Sequence, residues 1–565
     1  MSEHVQRADT RFTREISHVG GVATGLLSLS RLVTASLLAT LILAAAIPLS
    51  YAQQQEFEWH KPRPFFGAQP TLVVMVDFSD VRFKVSKSAV EQTVKTVDDF
   101  IRRSSYGKTW LEYYIHPKII TLPKPMAYYG APNQGAQRGD DYTKITEYHL
   151  TIMKLVKERE RIDITRFNHL IVVHAGGDEA VTDNPNDIWS HCNCVAPTIL
   201  HDLIEKSGFD TVESELKKAG YDWVVELFMH RKSDGSGHLL AGIETVSEED
   251  FPAVTMHEFT HSMWISDHYV YAEDGYSAGS EVGVWTNMDL GPFLNPPVDI
   301  DGWSKYLLGW VKPVEVKQSG EYTIHTLDKP DEPHALIIPI NEKEYYFIHA
   351  RRPQGQDRAL PGPGVLLFRI NKYVERNVEN KEYFIRLFDA NPDTPPECPN
   401  LPKRRVRTCE GLDAPLHSPG YRGTWEHERL GRYAINLLTS EYTTDEGHVI
   451  KVVAFDESRG IARISIQLGE SSRTTTETVE TTKTVTRTVT GRATATVYTT
   501  STVIGVTTST VVVTVTVKPP AREEGTLDYL SIIIVAAALA FALAALLRRR
   551  RPAPPPPPPP PQYYR

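Results

Sequence analysis

The sequence has little cysteine and lacks two patterns that commonly identify a class of protein. Only four cysteines occur in 565 residues, too few for a disulfide-rich secreted scaffold. No Asn-x-Ser/Thr tripeptide is present, which excludes ordinary N-glycosylation sites. Runs of Lys and Arg interleaved with aromatic residues are missing from the part expected to fold, and the formal charge is only −9. The composition therefore indicates no nucleic-acid-binding groove and no nucleic-acid partner.

The four cysteines fall into two pairs. Cys192 and Cys194 lie beside His191, and two thiols are too few for a zinc cage. A disulfide or a reduced buried pair is expected there instead. Cys398 and Cys409 lie in a Pro- and Arg-rich stretch, where a disulfide would close a loop.

A hydrophobic segment near the start of the chain predicts export. Residues 32–47 are apolar, follow several arginines and precede Ser50-Tyr51-Ala52, which fits the small-residue rule for signal peptidase. We therefore expect residues 1–52 to be a signal peptide. An uncleaved N-terminal anchor is the alternative.

A second hydrophobic segment, near the end, predicts a membrane anchor. Leu530–Leu547 could span roughly 27 Å as a helix, and four arginines, Arg548–Arg551, follow it. We expect one transmembrane helix over residues 527–547 and a cytoplasmic Arg/Pro-rich tail over residues 548–565. The rest of the protein would then lie outside the cell, at the cell surface.

Between these segments the apolar pattern divides into three parts. Residues 53–311 contain buried-strand patterns such as Pro70–Phe78 that alternate with helical stripes, which predicts a mixed α/β arrangement. Residues 312–469 contain short alternating runs separated by turn residues, which predicts an antiparallel β-sandwich or barrel. Residues 470–526 are rich in Thr, Val and Ser and are expected to form an extended stalk, with paired strands as the alternative.

The segment MHEFTHSMWISDHY, Met256–Tyr269, places a glutamate between two histidines. On a helix, His257 and His261 project from the same face, so both imidazoles can bind one Zn²⁺ ion at about 2.0–2.1 Å. Glu258 follows the first histidine, where its carboxylate can take a proton from water on the metal. These three residues predict a hydrolytic centre. The alternative is a chance occurrence on a helix with polar residues along one face.

A catalytic zinc site needs a third protein ligand and one open position. Asp267 is the first candidate, because it lies six residues after His261 and the chain can fold back over that length. His268 is the second candidate, and Glu281, further along the chain, is the third. The residues alone leave this choice open.

The same segment resembles the signature HExxHxxGxxDxY of the immune inhibitor A family of secreted metallopeptidases. The residues that match are His257, Glu258, His261, Asp267 and Tyr269. Shorter similarities follow in the family's order and cover most of the chain from Gln53 to Ile370. They lie at Leu72–Asp80, Ser105–Lys108, Val172–Ala180, Val282–Gly291, Asp301–Trp310 and Tyr345–Ile370.

The resemblance implies an α+β zincin-like catalytic domain with a mixed sheet and an active-site helix. It implies that His257, His261 and Asp267 bind the metal, and that Glu258 is the general base and acid. Tyr269 would stabilise the oxyanion or orient a ligand, with plain packing beside the helix end as the alternative.

Two further positions matter for the resemblance. Met288 would lie in a turn beneath the metal, with an ordinary core residue as the alternative. Trp264 stands where the family has glycine, and a left-handed conformation there would cost about 1–2 kcal/mol. This departure keeps both Asp267 and His268 open as the third ligand.

Candidate ligands for a second metal ion, Ca²⁺, are also present. Asp299 and Asp301 offer oxygen ligands near a glycine, as Ca²⁺ requires, although the remaining spacing of a calcium loop is missing.

These features together predict a zinc-dependent endopeptidase of extracellular proteins or peptides, anchored to the cell membrane. Two alternatives remain. One is a surface-structural or adhesive protein that keeps the fold without activity, which Trp264 and the long stalk favour and the presence of Glu258 opposes. The other is a metal-dependent carbohydrate-binding module in the β-rich block.

Overall fold

The computed structural model of the chain describes most of the two central blocks. The described residues are 57–132, 139–249, 252–272, 277–390, 411, 414–421, 439–469, 495–499 and 511–515. The expected signal peptide, transmembrane helix and cytoplasmic tail, and the Cys398–Cys409 pair, lie outside these ranges. Within them, no helix combines the length and the apolar character needed to cross a bilayer.

The architecture is mixed α/β with several sheets. The helices are α1 Lys87–Ser104, α2 Met126–Gly130, α3 Tyr142–Lys154, α4 Glu179–Thr182, α5 Val195–Ser207, α6 Phe209–Lys218, α7 Asp222–Phe228, α8 Ala253–Ser262 and α9 Gly302–Leu307. A π-helical turn, Leu155–Arg159, follows α3, and four short 3-10 helices lie at Ile164–Arg166, Gly283–Trp285, Gly291–Phe293 and Gly355–Ala359.

The strands of the first block are β1 Gly67–Asp77, β2 Thr109–Thr121, β3 His169–His174, β4 His191–Asn193, β5 Met229–Arg231, β6 Gly237–Leu239, β7 Gly242–Ser247, β8 Val270–Tyr271 and β9 Ser277–Gly279. Those of the second are β10 Val314–Glu315, β11 Gly320–His325, β12 Ala335–Pro339, β13 Glu344–Arg351, β14 Gly364–Asn371, β15 Ile385–Leu387, β16 Glu441–Thr443, β17 Val449–Asp456 and β18 Ile461–Gln467. The chain divides into two compact units after Arg473, and the second contains the antiparallel pair β19 Ala495–Thr499 and β20 Val511–Val515, within the Thr-rich segment.

The main sheet of the first block has the strand order β2-β1-β3-β7-β4. Its pairs are parallel except for the short edge strand β4, which runs antiparallel to β7. Val73 of β1 packs in one hydrophobic cluster, and its neighbours Leu72 and Val74 pack in another. Because both faces of the sheet are covered, β1 has a continuous apolar sequence rather than an alternating one.

Helix α1 covers one face of this sheet. Its first turn is capped by Ser86, whose Oγ accepts a hydrogen bond from the backbone N–H of Ala89 at 3.2 Å. Val90, Val94 and Val97 recur at helical spacing, and all three are buried in the same cluster as Val73 of the sheet.

The second block contains two sheets, with the strand orders β10-β12-β13-β14-β15 and β11-β18-β17-β16. Their pairs are antiparallel except for β10 with β12. Ile348 and Val365 of the first sheet share a cluster with Ile324, Ile450 and Ile464 of the second. The two sheets therefore pack face to face over a common core.

The two blocks also share one hydrophobic core. The cluster that contains Val73 and Phe259 of the first block continues through Trp303 to Leu366 and Phe368 of β14. The boundary expected between residues 311 and 312 therefore lies within continuous packing.

Candidate metal centre

Helix α8 carries both histidines of the motif. Its residues Met256 and Phe259 are buried in the main core, so His257 and His261, one turn apart, project from a different face. The helix packs against β7 and against the edge strand β4. The sheet thus fixes the helix at the position where the imidazoles emerge.

Three ligand atoms converge next to this helix. His257 Nε2 and His261 Nε2 lie 3.1 Å apart, and Asp267 Oδ1 lies 3.1 Å from the first and 3.0 Å from the second. A tetrahedral zinc ion with bonds of about 2.0–2.1 Å separates its ligand atoms by about 3.3 Å. The histidine side chains are 13% exposed and that of Asp267 is 11% exposed, so the group lies just beneath the surface.

Backbone carbonyls set the tautomer of both histidines. His257 Nδ1 lies 2.8 Å from the Asn287 carbonyl oxygen, and His261 Nδ1 lies 2.6 Å from the Ile265 carbonyl oxygen. A carbonyl oxygen only accepts hydrogen bonds, so each Nδ1 carries the hydrogen and donates it. In a neutral ring the Nε2 atom then presents a lone pair, which is the form of histidine that binds metals.

This arrangement fits a cation at the centre of the three atoms. Two imidazole lone pairs and a carboxylate oxygen repel one another at 3.0–3.1 Å unless positive charge lies between them. Asp267 Oδ1 is buried and faces the two imidazole Nε2 atoms. Protons on the Nε2 atoms can bridge the contacts with Asp267 but not, at the same time, the contact between the two imidazoles, whereas a metal ion attracts all three atoms. The residues therefore form a group able to hold a metal ion.

The pKa shifts of His257, His261 and Asp267 also indicate that positive charge is favoured between these residues. Burial acts to lower the pKa of His257, but the Asp267 carboxylate outweighs it and raises that pKa, and the same holds for His261. Burial acts to raise the pKa of Asp267, but His261 and His257 hold it well below its usual value.

Glu258 lies beside this group and is buried. Burial raises the pKa of Glu258 to about 8, with His257 acting in the opposite direction and Asp267 adding to the rise. A divalent cation at the three ligand atoms would also oppose the rise, because a nearby positive charge favours the carboxylate form.

The turn that returns the chain to the metal group is left-handed at Trp264. This residue has φ of 68°, the conformation that glycine adopts most easily. Its ring packs edge-on against Phe65 at 5.0 Å, and its Nε1 donates to the Ala241 carbonyl oxygen at 3.1 Å. Tertiary contacts thus offset the backbone cost, and the turn delivers Asp267.

The tyrosine that contacts the metal group is Tyr271. Its hydroxyl donates to Asp267 Oδ2 at 2.5 Å. The hydroxyl of Tyr269, the residue expected from the sequence, lies 3.3 Å from the Tyr271 hydroxyl, one contact further from Asp267. The only sequence signal for Tyr271 is a second tyrosine on the same face of an extended segment.

The two other candidate ligands lie elsewhere. His268 is fully buried and points to Asp301 and Ser304, with its Nε2 atom 3.2 Å from Asp301 Oδ2 and 3.1 Å from Ser304 Oγ. Glu281 forms an ion pair with Arg386 at 3.6 Å. Asp267, and neither of these residues, joins the two histidines.

Met288 lies next to a residue that touches the metal group. It is fully buried, and the preceding carbonyl, that of Asn287, accepts the His257 hydrogen bond. Its own carbonyl accepts from the His268 N–H at 2.8 Å. The segment therefore supports the ligands from one side.

The two aspartates considered for calcium are engaged by protein donors. Asp299 Oδ2 accepts from Lys305 Nζ at 2.6 Å, and Asp299 Oδ1 accepts from Ser104 Oγ at 2.5 Å. Asp301 caps α9 by accepting from the N–H groups of Trp303 and Ser304. Their carboxylates serve a helix cap and a buried ion pair.

A second group of possible ligands, His201, Asp202 and Glu205, lies on α5. Arg63 and Lys61 already bind the Asp202 carboxylate, at 3.0 and 2.9 Å. Two cationic side chains at one carboxylate disfavour a metal ion there, so this group does not fit a metal centre.

The structure joins Cys192 to Cys194 by a disulfide at the edge strand β4. A disulfide is one of the two forms expected for this pair from the sequence.

No protein-family model matches the chain, and no curated protein matches it either.

Proposed function

We propose that this protein is a zinc-dependent endopeptidase that hydrolyses extracellular proteins or peptides. The observation that carries the proposal is the convergence of His257 Nε2, His261 Nε2 and Asp267 Oδ1 to within 3.0–3.1 Å of one another. Two imidazoles and one carboxylate are a ligand set used by hydrolytic zinc sites, which keep a fourth position open. The resemblance to the immune inhibitor A family and its zincin-like fold supports the same assignment.

The chain's own residues supply the remaining chemistry. A zinc ion bound there would act as a Lewis acid and lower the pKa of a water molecule to about 7. Glu258 is the proposed general base that takes a proton from the attacking water as the water oxygen bonds to the substrate carbonyl carbon. The same carboxyl group then gives that proton to the amine nitrogen as the peptide C–N bond breaks. Tyr269 remains the proposed oxyanion contact.

The edge strand β4 supports a peptide as the substrate. It contacts α8 and, among the described strands, pairs only with β7. The unpaired edge of such a strand can hydrogen-bond an extended peptide backbone.

The location is part of the proposal. The N-terminal and C-terminal apolar segments predict a single-pass membrane protein with the catalytic domain outside the cell. The Thr-rich segment would hold that domain away from the membrane as a stalk.

Trp264 gives little support to the inactive, adhesive alternative. The left-handed turn forms at this residue and brings Asp267 to the histidines.

The deciding experiment is casein hydrolysis by the purified full-length chain with its metal content measured in parallel. We expect chelator to abolish activity and zinc to restore it. Glu258→Gln should retain the metal and lose activity by about 10³-fold or more, because the proton transfer is lost.

The matched control is Glu205→Gln, the same change at an exposed position on α5. It should leave activity unchanged. Activity that survives chelator, or a Glu258→Gln variant as active as the control, would overturn the proposal.

A further inference from the structure

We propose that a loop of the β-rich block supports the metal centre. Its residue Asn377, together with Tyr271 of β8, positions the ligand Asp267. We call residues 372–384, between β14 and β15, the tether loop. This inference rests on the proposed metal centre. It concerns how the third ligand, Asp267, is held in position. The motif on α8 contains no residue that does this.

The segment that carries Asp267 needs support from outside. Residues 263–269 connect α8 to β8 without helical or strand hydrogen bonding of their own. A metal ligand on such a segment would lose conformational freedom on binding, which reduces affinity unless the segment is already held in place.

The tether loop supplies backbone contacts to the end of this segment. The Tyr271 N–H donates to the Asn377 carbonyl oxygen at 3.0 Å, and the Glu379 N–H donates to the Tyr271 carbonyl oxygen at 2.8 Å. These bonds form a parallel bridge between Tyr271 and Val378. The metal-binding segment is thereby paired with a loop more than 100 residues later in the chain.

The Asn377 side chain adds a second connection. It is fully buried, and its Nδ2 donates to the His268 carbonyl oxygen at 3.2 Å. Its Oδ1 accepts from the Phe384 and Ile385 N–H groups, at 3.0 and 3.3 Å. One amide side chain thus joins the start of β15 to the backbone of the residue next to Asp267.

Tyr271 connects the tether loop to the proposed metal ligand, Asp267. Its hydroxyl donates to Asp267 Oδ2 at 2.5 Å, while Asp267 Oδ1 faces the two histidines. The Arg376 guanidinium lies over the Tyr271 ring at 5.2 Å from its centroid. The bond from Tyr271 to Oδ2 favours the carboxylate orientation in which Oδ1 faces the metal position.

The expected consequence is a loss of metal affinity when either connection is cut. Removing a residue that orients a ligand typically costs about 10- to 100-fold in metal affinity. Tyr271→Phe removes only the hydroxyl. Asn377→Asp removes the donor to the His268 carbonyl and keeps an acceptor for the N–H groups of β15.

The matched control is Asn371→Asp, the same change at the last residue of β14, immediately before the tether loop. Asn371 is also buried, and its Nδ2 donates to Glu382 Oε1 at 2.7 Å, but none of its side-chain hydrogen bonds reaches the metal-binding segment. The Asn371→Asp variant therefore measures the effect of disturbing the loop while the connection to Asp267 stays intact.

The experiment measures zinc affinity of the full-length chain by competition with a chromogenic chelator, beside the thermal unfolding temperature. We expect Tyr271→Phe and Asn377→Asp to weaken zinc binding by about 10- to 100-fold. Asn371→Asp should lower the unfolding temperature and leave the affinity at the wild-type value. Wild-type affinity in both test variants, or an equal loss in the Asn371 control, would overturn the tether.

His257→Ala separates this inference from the metal centre itself. If His257→Ala abolishes zinc binding while Tyr271→Phe and Asn377→Asp do not change it, only the tether is wrong. If His257→Ala binds zinc as the wild type does, the metal centre and the tether are both overturned.

Discussion

The ring of Trp264 packs edge-on against the ring of Phe65, with the two centroids 5.0 Å apart, at the turn that follows the histidine helix. A bulky residue with φ of 68° is held there by its neighbours, since its indole N–H also bonds to the Ala241 carbonyl. The turn that glycine would form by conformational freedom is formed here by packing.

Two substitutions at Trp264 separate the backbone cost from the packing. Trp264→Ala and Trp264→Gly both remove the ring contacts. Because Trp264 is only partly buried, we expect each to lower the free energy of unfolding by about 1–3 kcal/mol, less than a fully buried tryptophan would. Only glycine relieves the left-handed strain, so Trp264→Gly should be more stable than Trp264→Ala by about 1 kcal/mol. Urea unfolding measures the difference. Equal stabilities would mean that residue 264 carries no left-handed strain.

Asp267 and His268 are adjacent but should respond differently to truncation. Asp267→Ala removes a ligand atom, so zinc per folded chain should fall by about tenfold or more. His268→Ala leaves the buried Asp301 carboxylate without its imidazole, so it should lower the free energy of unfolding by about 2–4 kcal/mol and keep the zinc. Metal analysis beside urea unfolding tests both. Loss of zinc in His268→Ala alone would exchange the two roles.

The sequence predicts those features of the site that depend on the local geometry of one helix or strand. His257 and His261 follow from helical spacing, and β1 and α1 follow from apolar patterns of the corresponding period. The residues alone rank Asp267 first as the third ligand but leave His268 and Glu281 open, because the outcome depends on a left-handed turn at Trp264 that is stabilised by Phe65 and Ala241.

Asn377 carried no signal at all. It is 109 residues from His268, whose carbonyl it contacts. A single polar residue in a loop does not indicate a partner at that separation, and only the path of β14 and β15 brings the two together. The family signature includes Tyr269 and not Tyr271, so it gives no indication that the Tyr271 hydroxyl bonds to Asp267.

A buried arginine connects the two blocks. Arg351 of β13 is fully buried, donates to Asp357 Oδ2 at 2.7 Å through Nε, and reaches the Trp285 and Asp299 carbonyl oxygens across the shared core. Arg351→Met should lower the free energy of unfolding by about 3–5 kcal/mol, because Asp357 is left as an uncompensated buried charge.

The control for this change is Arg386→Met. Arg386 is 56% exposed and pairs with Glu281 at 3.6 Å, so its loss should cost about 1 kcal/mol or less. Guanidinium-chloride unfolding of the full-length chain provides the comparison. Similar costs for the two variants would contradict the role assigned to Arg351.

A buried carboxyl group beneath α8 should make stability depend on pH. Glu244 of β7 is fully buried, and burial raises its pKa from 4.5 to about 8. It faces His169 of β3, whose Nδ1 lies 4.0 Å from Glu244 Oε1, and burial lowers the pKa of that histidine to about 3. Cys192 of β4 lies opposite Glu244, and Glu258 of α8 is close enough to interact electrostatically.

The sign follows from the raised pKa. The folded state holds the Glu244 proton more tightly than the unfolded state does, so this stabilisation is complete below pH 4.5 and is lost as the pH rises to about 8. Glu244→Gln keeps a neutral side chain of the same shape. Its free energy of unfolding should match the wild type near pH 4.5 and exceed it by on the order of a few kcal/mol at pH 8. Urea unfolding from pH 4.5 to pH 8, with chelator in every sample, measures the difference. A difference that stays constant across this range would show that Glu244 is already ionised in the folded protein at low pH.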